Sequence, residues 1–468
     1  MDSLIRIVVS LALVDTLISQ DSFEEFLRQQ QQAQQQAFED EANEFQNYVA
    51  EVTAQYDAYE QQQAREFEEF KKAVEEKWHE FKYPSKKVYV DYDEDLDSRA
   101  SVDFENGVII IEIIVEEEEP EEQGKEVEEE KARKEADKAK AEAERARAKA
   151  EKAKAEADEA KAEAERAKAE AEKAKADAEK ARKEVEQARA EAEKAKAEAE
   201  AQKAREKLVD KKLAKKISIL MKIKTDDGKP LLQGQIADKT GKAVKESDAE
   251  SFAAEAVKEK PVAMKTYKAK DGKKRTVYTV KIPMKSDHLN TRANQYKEEV
   301  LKQSKLFNID RIIAFAVMET ESAFNPNATS HIPAYGLMQL VPKSGARDAY
   351  LYVYKKDIFL DGDYLYKPVN NIELGCAYLG KIRHQYFNSI KDDERAYICA
   401  IPAYNTGIGN VAKTLTGDTQ LKPASEKANS MSPEQLYYKL HKDLEHQEAR
   451  DYLERVWTRK DKYRSFVN

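Results

Sequence analysis

Alanine returns at every seventh position from Ala139 to Ala195, and a second row runs from Ala143 to Ala199 with Val185 in place of one alanine. The alternating steps of four and three are those of a coiled-coil seam, with alanine where leucine is usual. Lys, Arg and Glu fill the remaining positions, with i,i+3 pairs such as Glu163/Arg166 and Glu165/Lys168. Alanine has the highest helix propensity, so the stretch predicts one continuous helix. No Gly or Pro lies between Lys125 and Lys216 to turn it. About 65 residues at a 1.5 Å rise give roughly 100 Å. An alanine seam buries little apolar area, so a solitary spacer helix and a weak coiled coil both remain open. Charges alternate along it, which argues against a nucleic-acid partner.

The repeat divides the rest of the chain. At 468 residues there is too much sequence for one core, so two or three domains are expected. The formal net charge of -10 is unevenly placed. The first 130 residues or so are acidic, with Glu runs at 116–119 and 128–130, and no segment carries a dominant basic field. Residues 1–20 resemble a signal peptide, with Arg6 before an apolar run at 7–13; an amphipathic helix start is the other reading. No cysteine near the start is placed to accept a lipid, which leaves membrane anchoring there open. Cys376 and Cys399, the only cysteines, lie in apolar helical patterns and read as buried thiols.

Residues 21–82 predict a long helix with an apolar stripe through Tyr56, Phe67, Phe70, Val74, Trp78 and Phe81, ended by Pro84. Residues 83–116 and 217–285 read as β-rich. Strands at 100–104 and 108–115 flank Glu105-Asn106-Gly107, a hairpin signal because Asn-Gly accepts the positive φ of a tight turn. Further strands are expected at 88–90, at 231–237, and on either side of Asp271-Gly272. Residues 117–216 hold the alanine helix. Whether it leaves the two β sets apart, or some bend brings them together, is open. Residues 286–468 carry helical patterns separated by Gly, Pro and Asn loops. The expected class is α+β: a mainly α carboxy-terminal domain, a small β-rich domain and a long alanine-rich helical spacer.

The chemistry concentrates in the last domain. Glu321 lies one helical turn after Val317, on the apolar side of a helix bearing Ile312, Ile313 and Ala316. A carboxyl group buried there would have a raised pKa and could donate a proton near neutral pH; a solvated Glu at a frayed helix end is the other reading, and periodicity alone favours it. Glu319 points to another face and reads as a solvated charge. Downstream come Gly336-Leu337-Met338-Gln339 and Ala403-Tyr404-Asn405-Thr406-Gly407.

These motifs, in this order, resemble the soluble lytic transglycosylase domain of the lysozyme-like lytic transglycosylases. The resemblance is strongest to the membrane-bound lytic murein transglycosylase C branch. It extends to Asp287-His288-Leu289, Arg292-Ala293, Tyr296, Asn371-Ile372, Gly375 and Ala377-Tyr378-Leu379, and upstream to residues 101–114 and 230–242. It implies a lysozyme-like fold and cleavage of the β-1,4 bond between N-acetylmuramic acid and N-acetylglucosamine without water. Glu321 would be the single acid/base, with no cofactor and no metal. Ser322, Gly336, Met338, Gln339, Tyr404, Asn405 and Tyr452 would bind the glycan. The implied partner is peptidoglycan in the periplasm or cell envelope, in association with the outer membrane in relatives of this branch. The long helix would reach a membrane or an envelope protein. A hydrolytic muramidase on the same fold and a non-cutting peptidoglycan-binding scaffold are the rival readings.

Overall fold

The computed structural model describes residues 20–117, 154–259, 262–330 and 333–467. The signal-peptide-like start lies outside these residues, as does the first part of the alanine repeat. In chain order the elements of the first half are α1 (Gln20–Lys77), β1 (Val88–Tyr92), β2 (Ser98–Asp103), β3 (Val108–Glu116), α2 (Lys154–Lys222), α3 (Ala249–Glu259), β4 (Ala263–Lys268) and β5 (Lys274–Pro283).

The two β sets form one antiparallel sheet in the order β1-β2-β3-β5-β4. The join is β3 against β5, with Ile111 opposite Val280. The period of two sorts the side chains between its faces. Ile109, Ile111 and Ile113 meet Val280 and Ile282 on one face, under Leu213, Ile217 and Leu220 of α2. The opposite face packs Ile114 and Val277 against Val74 and Trp78 of α1. There Arg99 is fully buried, its guanidinium 4.1 Å from the Trp78 ring and its Nε donating to Glu112 Oε2 at 2.7 Å.

Two local expectations are corrected, and the expected hairpin forms. α1 stops at Lys77, short of Phe81 and well before Pro84. The Trp78 indole N–H donates to Leu96 O at 2.8 Å, and the chain leaves the helix axis so that Phe81 stacks on Tyr92. Tertiary contacts, not the proline, set that boundary. Residues 231–237 are not a strand. Leu231, Leu232 and Ile236 are buried, but in turns, because Gly234 takes φ +72 and Gln235 folds its side-chain amide back onto Leu231 O. The hairpin loop covers Phe104 to Gly107, and only Gly107 takes a positive φ. Asp103 Oδ1 accepts from the backbone of Glu105 and Asn106, which stabilises the turn.

α2 runs well past the alanine repeat into the β-rich region. Its last turns bury Val209, Leu213, Ile217, Leu220 and Met221, whereas every described side chain from Glu172 to Ala204 is exposed. The change tracks sequence: alanine and charge give way to Leu208, Val209, Leu213 and Ile217.

The carboxy-terminal domain is helical: α4 (His288–Leu306), α5 (Arg311–Ser322), α6 (Arg347–Tyr354), α7 (Gly362–Leu365), α8 (Pro368–Lys381), α9 (Asp393–Thr406), α10 (Ile408–Thr416), α11 (Leu421–Asn429), α12 (Pro433–Asp443), α13 (Gln447–Arg459) and α14 (Tyr463–Val467). α5 lies within the core, with Ile313 to Ser322 all buried. The whole is an α+β protein. Cys376 and Cys399 are free and buried.

Arg292 joins the two domains. Its guanidinium donates to Ala323 O at 2.9 Å, Gln235 Oε1 at 2.6 Å and Phe104 O at 2.5 Å, and lies 4.8 Å from the Phe104 ring. Burial pulls its pKa down to about 9. A second link runs through Glu105 at the hairpin, which pairs with Lys87 at 2.5 Å and with Arg459 of α13 at 2.8 Å.

Candidate active site

α5 begins at Asp310, whose side chain accepts from Ile312 N at 2.8 Å. It ends at Ala323, φ +49, followed by Phe324 at φ +61. Two successive non-glycine residues in the left-handed region turn the chain sharply after Glu321. Such conformations cost on the order of 1–3 kcal/mol each and persist where the surroundings enforce them. Here the Arg292 bond to Ala323 O and the burial of Phe324 do so.

Glu321 is 4% exposed. Burial pushes its pKa up, the Lys86 ammonium and the Tyr452 hydroxyl pull it down, and the Glu448 carboxylate raises it. Lys86 Nζ stands 3.6 Å from Glu321 Oε2 and 3.8 Å from Glu448 Oε1. Tyr404 and Tyr452 lie close enough that the Glu321 charge adds to burial in raising their pKa values well above the usual tyrosine range. The site is a desolvated carboxyl group beside two tyrosines and one lysine. Such a group stays protonated into the pH range where it can act as an acid.

The other expected residues are brought around it, several in different postures. Ser322 is fully buried, and its hydroxyl lies 2.8 Å from Leu337 O and 3.1 Å from Met318 O, so it ties the end of α5 to the following loop. Gly336 takes φ +75, and an added Cβ would lie 2.4 Å from Asn371 Nδ2 and 2.6 Å from Leu365 O. The close approach that requires glycine in the structure is to Asn371 and Leu365. Met338 is fully buried, and its side chain packs in the core cluster. Gln339, at φ +49, donates through Nε2 to Ala328 O and Gly336 O, while its buried Oε1 has no hydrogen-bond partner among the described residues. Tyr404 is buried on α9 and donates to Met338 O at 2.9 Å. Asn405 is half-buried at the end of the same helix. Tyr452 of α13 is buried with its hydroxyl toward Glu321, in no hydrogen bond of regular geometry.

Glu319 is a further correction. It is 5% exposed and bonded by Tyr463 at 2.5 Å, by Lys462, and by Arg459 at 3.6 Å. α14, a short terminal helix, folds back over that face of α5, so the helical period alone misjudged it.

Asn371, Lys86 and Glu448 went unassigned in the sequence. Asn371 builds the loop: its Oδ1 accepts from Met338 N at 2.7 Å and its Nδ2 donates to Tyr335 O and Leu365 O, each at 2.8 Å. Its place beside Ile372 among the quoted motifs was the only signal. Lys86 and Glu448 carry none, because each reaches the site only through the packing of separate elements.

Gly375 of α8 backs this loop, and a Cβ there would lie 2.3 Å from Met338 Sδ. Gly375→Ala is therefore expected to destabilise the domain by about 1–3 kcal/mol through overpacking. The midpoint of urea unfolding measures it, and an unchanged midpoint would show that the loop gives way freely.

Residues 298–426 match the family described as Transglycosylase SLT domain. Residues 56–127 and 204–295 match the amino-terminal domain of membrane-bound lytic murein transglycosylase C. In these two stretches the chain is similar to the lytic transglycosylases. Proteins named membrane-bound lytic murein transglycosylase C are 35% identical over 240 residues in Glaesserella parasuis and 34% identical over 236 residues in Klebsiella pneumoniae. Each match covers 50% of this chain and 63% of the relative. Among solved structures, lytic transglycosylase Slt of Pseudomonas aeruginosa, an inactive mutant, is 27% identical over 37% of this chain and 24% of its own, at a TM-score of 0.27. The 70 kDa soluble lytic transglycosylase of Escherichia coli is 23% identical over 39% of this chain and 26% of its own, at 0.30. Glu321 lies inside the SLT match, whereas Lys86 comes from the amino-terminal match.

Proposed function

We propose that this protein is a lytic transglycosylase that cuts the glycan strands of peptidoglycan in the cell envelope, with Glu321 as its single acid/base. The burial of the Glu321 carboxyl beside Tyr404 and Tyr452 carries the reading. Protonated Glu321 gives its proton to the glycosidic oxygen as the bond to C1 of N-acetylmuramic acid breaks. The sugar's N-acetyl oxygen supports the positive charge at C1. The carboxylate then removes the C6 hydroxyl proton as O6 bonds to C1, so a 1,6-anhydro ring forms and no water is consumed. Gln339 Oε1, buried and without a hydrogen-bond partner among the described residues, is the acceptor assigned to a sugar hydroxyl or amide once the glycan enters. Ser322, Gly336 and Met338 support the loop that presents it, while Asn405 offers a polar contact at the end of α9. The long helix serves to hold the enzyme away from a membrane or envelope partner.

The hydrolytic alternative has one observation in its favour. Glu448 is a second carboxylate facing the same Lys86, where a hydrolase would need a base for water. Asp348 and Asp357 are taken up elsewhere, by Lys381 and Arg347. Mass spectrometry of fragments released from purified sacculi separates the two. Anhydro-muropeptides are expected; reducing ends would make the enzyme a muramidase, and bound but uncut sacculi a scaffold.

A further inference from the structure

We infer that Lys86, brought in by the amino-terminal domain, is a positioning residue for Glu321, its ammonium holding the carboxyl oxygen Oε2. The inference rests on the reading of Glu321 as the acid/base. Lys86 lies between α1 and β1, and its aim is set on both sides. Ser85 closes a turn with Val88, its N–H donating to Val88 O at 2.9 Å and its hydroxyl accepting from Val88 N at 3.2 Å. Lys87 is clamped through Glu105 to Arg459 of the catalytic domain. Between these fixed points the Lys86 side chain reaches across the domain boundary.

Among the described residues it is the one cation within ion-pair distance of Glu321. The neighbouring Glu319 shows the contrast, with its own Arg459, Lys462 and Tyr463. The other groups facing Glu321 are Glu448 and Tyr452 from α13 and Tyr404 from α9, with Arg455 acting on Tyr452. Burial and Glu448 favour the protonated carboxyl, whereas Lys86 and Tyr452 favour the ionised form. A single carboxyl that is acid in one step and base in the next works in both roles only if neither form is strongly preferred. Lys86 is about one-third exposed, so it can offset the burial without locking Glu321 as an anion. The amino-terminal domain thereby takes part in the chemistry and does not merely carry the catalytic domain.

The test is the pH dependence of kcat/KM for muropeptide release by the full chain, for wild type, Lys86→Met, Lys86→Arg and Glu321→Gln. The alkaline limb reports loss of the protonated acid. Without the cation, Glu321 keeps its proton to higher pH, so Lys86→Met moves this limb up by about one pH unit and Lys86→Arg returns it. An unmoved limb in a Lys86→Met protein that melts like wild type overturns the inference. Lys86→Gln, which keeps the polar reach, gives the same reading should Lys86→Met melt early. Wild-type release by Glu321→Gln would instead overturn the acid/base reading itself, whatever Lys86 does.

Discussion

Glu321→Gln is expected to lower the rate of muropeptide release by about 10²- to 10⁴-fold, the usual contribution of a positioned proton donor. The substitution keeps shape and most contacts, so the fold and binding to sacculi should survive. Co-sedimentation with sacculi and an unchanged melting point check that. Two proton transfers are lost together, because the same oxygen gives a proton to the leaving group and recovers one from the C6 hydroxyl. The effect therefore belongs near the upper end of the range. The amide cannot ionise, so the cost of charging a buried carboxyl at high pH is removed, and slight stabilisation is expected there alongside the loss of activity. A residual rate within tenfold of wild type would move the acid elsewhere, and Glu448 would be next to substitute.

Arg292→Met is expected to cost about 3–5 kcal/mol of stability, read from the chemical unfolding midpoint, with muropeptide release falling as well. The methionine fills similar volume, so the loss comes from polarity and not from a cavity. Three oxygens on three separate segments, Phe104 O, Gln235 Oε1 and Ala323 O, lose their charged donor. Each buried acceptor left without a partner costs about 1–3 kcal/mol. Relief of a desolvated guanidinium offsets part of the sum. Ala323 is two residues from Glu321, so loosening its carbonyl also loosens the turn that ends α5. Arg292→Lys should rescue little, since one ammonium cannot span three diverging acceptors in the way the planar fork does. An unchanged midpoint for Arg292→Met would mean that apolar packing and the Glu105 link hold the domains without Arg292.

The sequence was readable where the signal is local. The Asn106-Gly107 turn, the alternation of the Ile109–Ile113 run and the apolar face that carries Glu321 each follow from neighbours within one element. Errors came where distant segments meet. Glu319 sits on a polar-looking helix face that α14 covers. The 231–237 run has strand composition, but Gly234 at positive φ folds it into turns. Met338 packs against Gly375 and Tyr404 bonds to the Met338 carbonyl, contacts between separate elements that no local pattern reports. Lys86 carries no periodic or motif signal, because its role exists only after the two domains dock.

The join between β3 and β5 bears on how freely the chain can change length. Glu116 pairs with Arg275, and residues 128–203 fall between the two stretches matched by the amino-terminal family. Removing that interval would roughly halve the separation along the chain. Loop-closure entropy grows only with the logarithm of length, about 0.6 kcal/mol per doubling. Folding the sheet around so large an insertion is thus nearly as favourable as folding it without one. The reach of the helix can lengthen or shorten by whole heptads under selection for span alone, while the stability of the domain that bears it stays almost fixed.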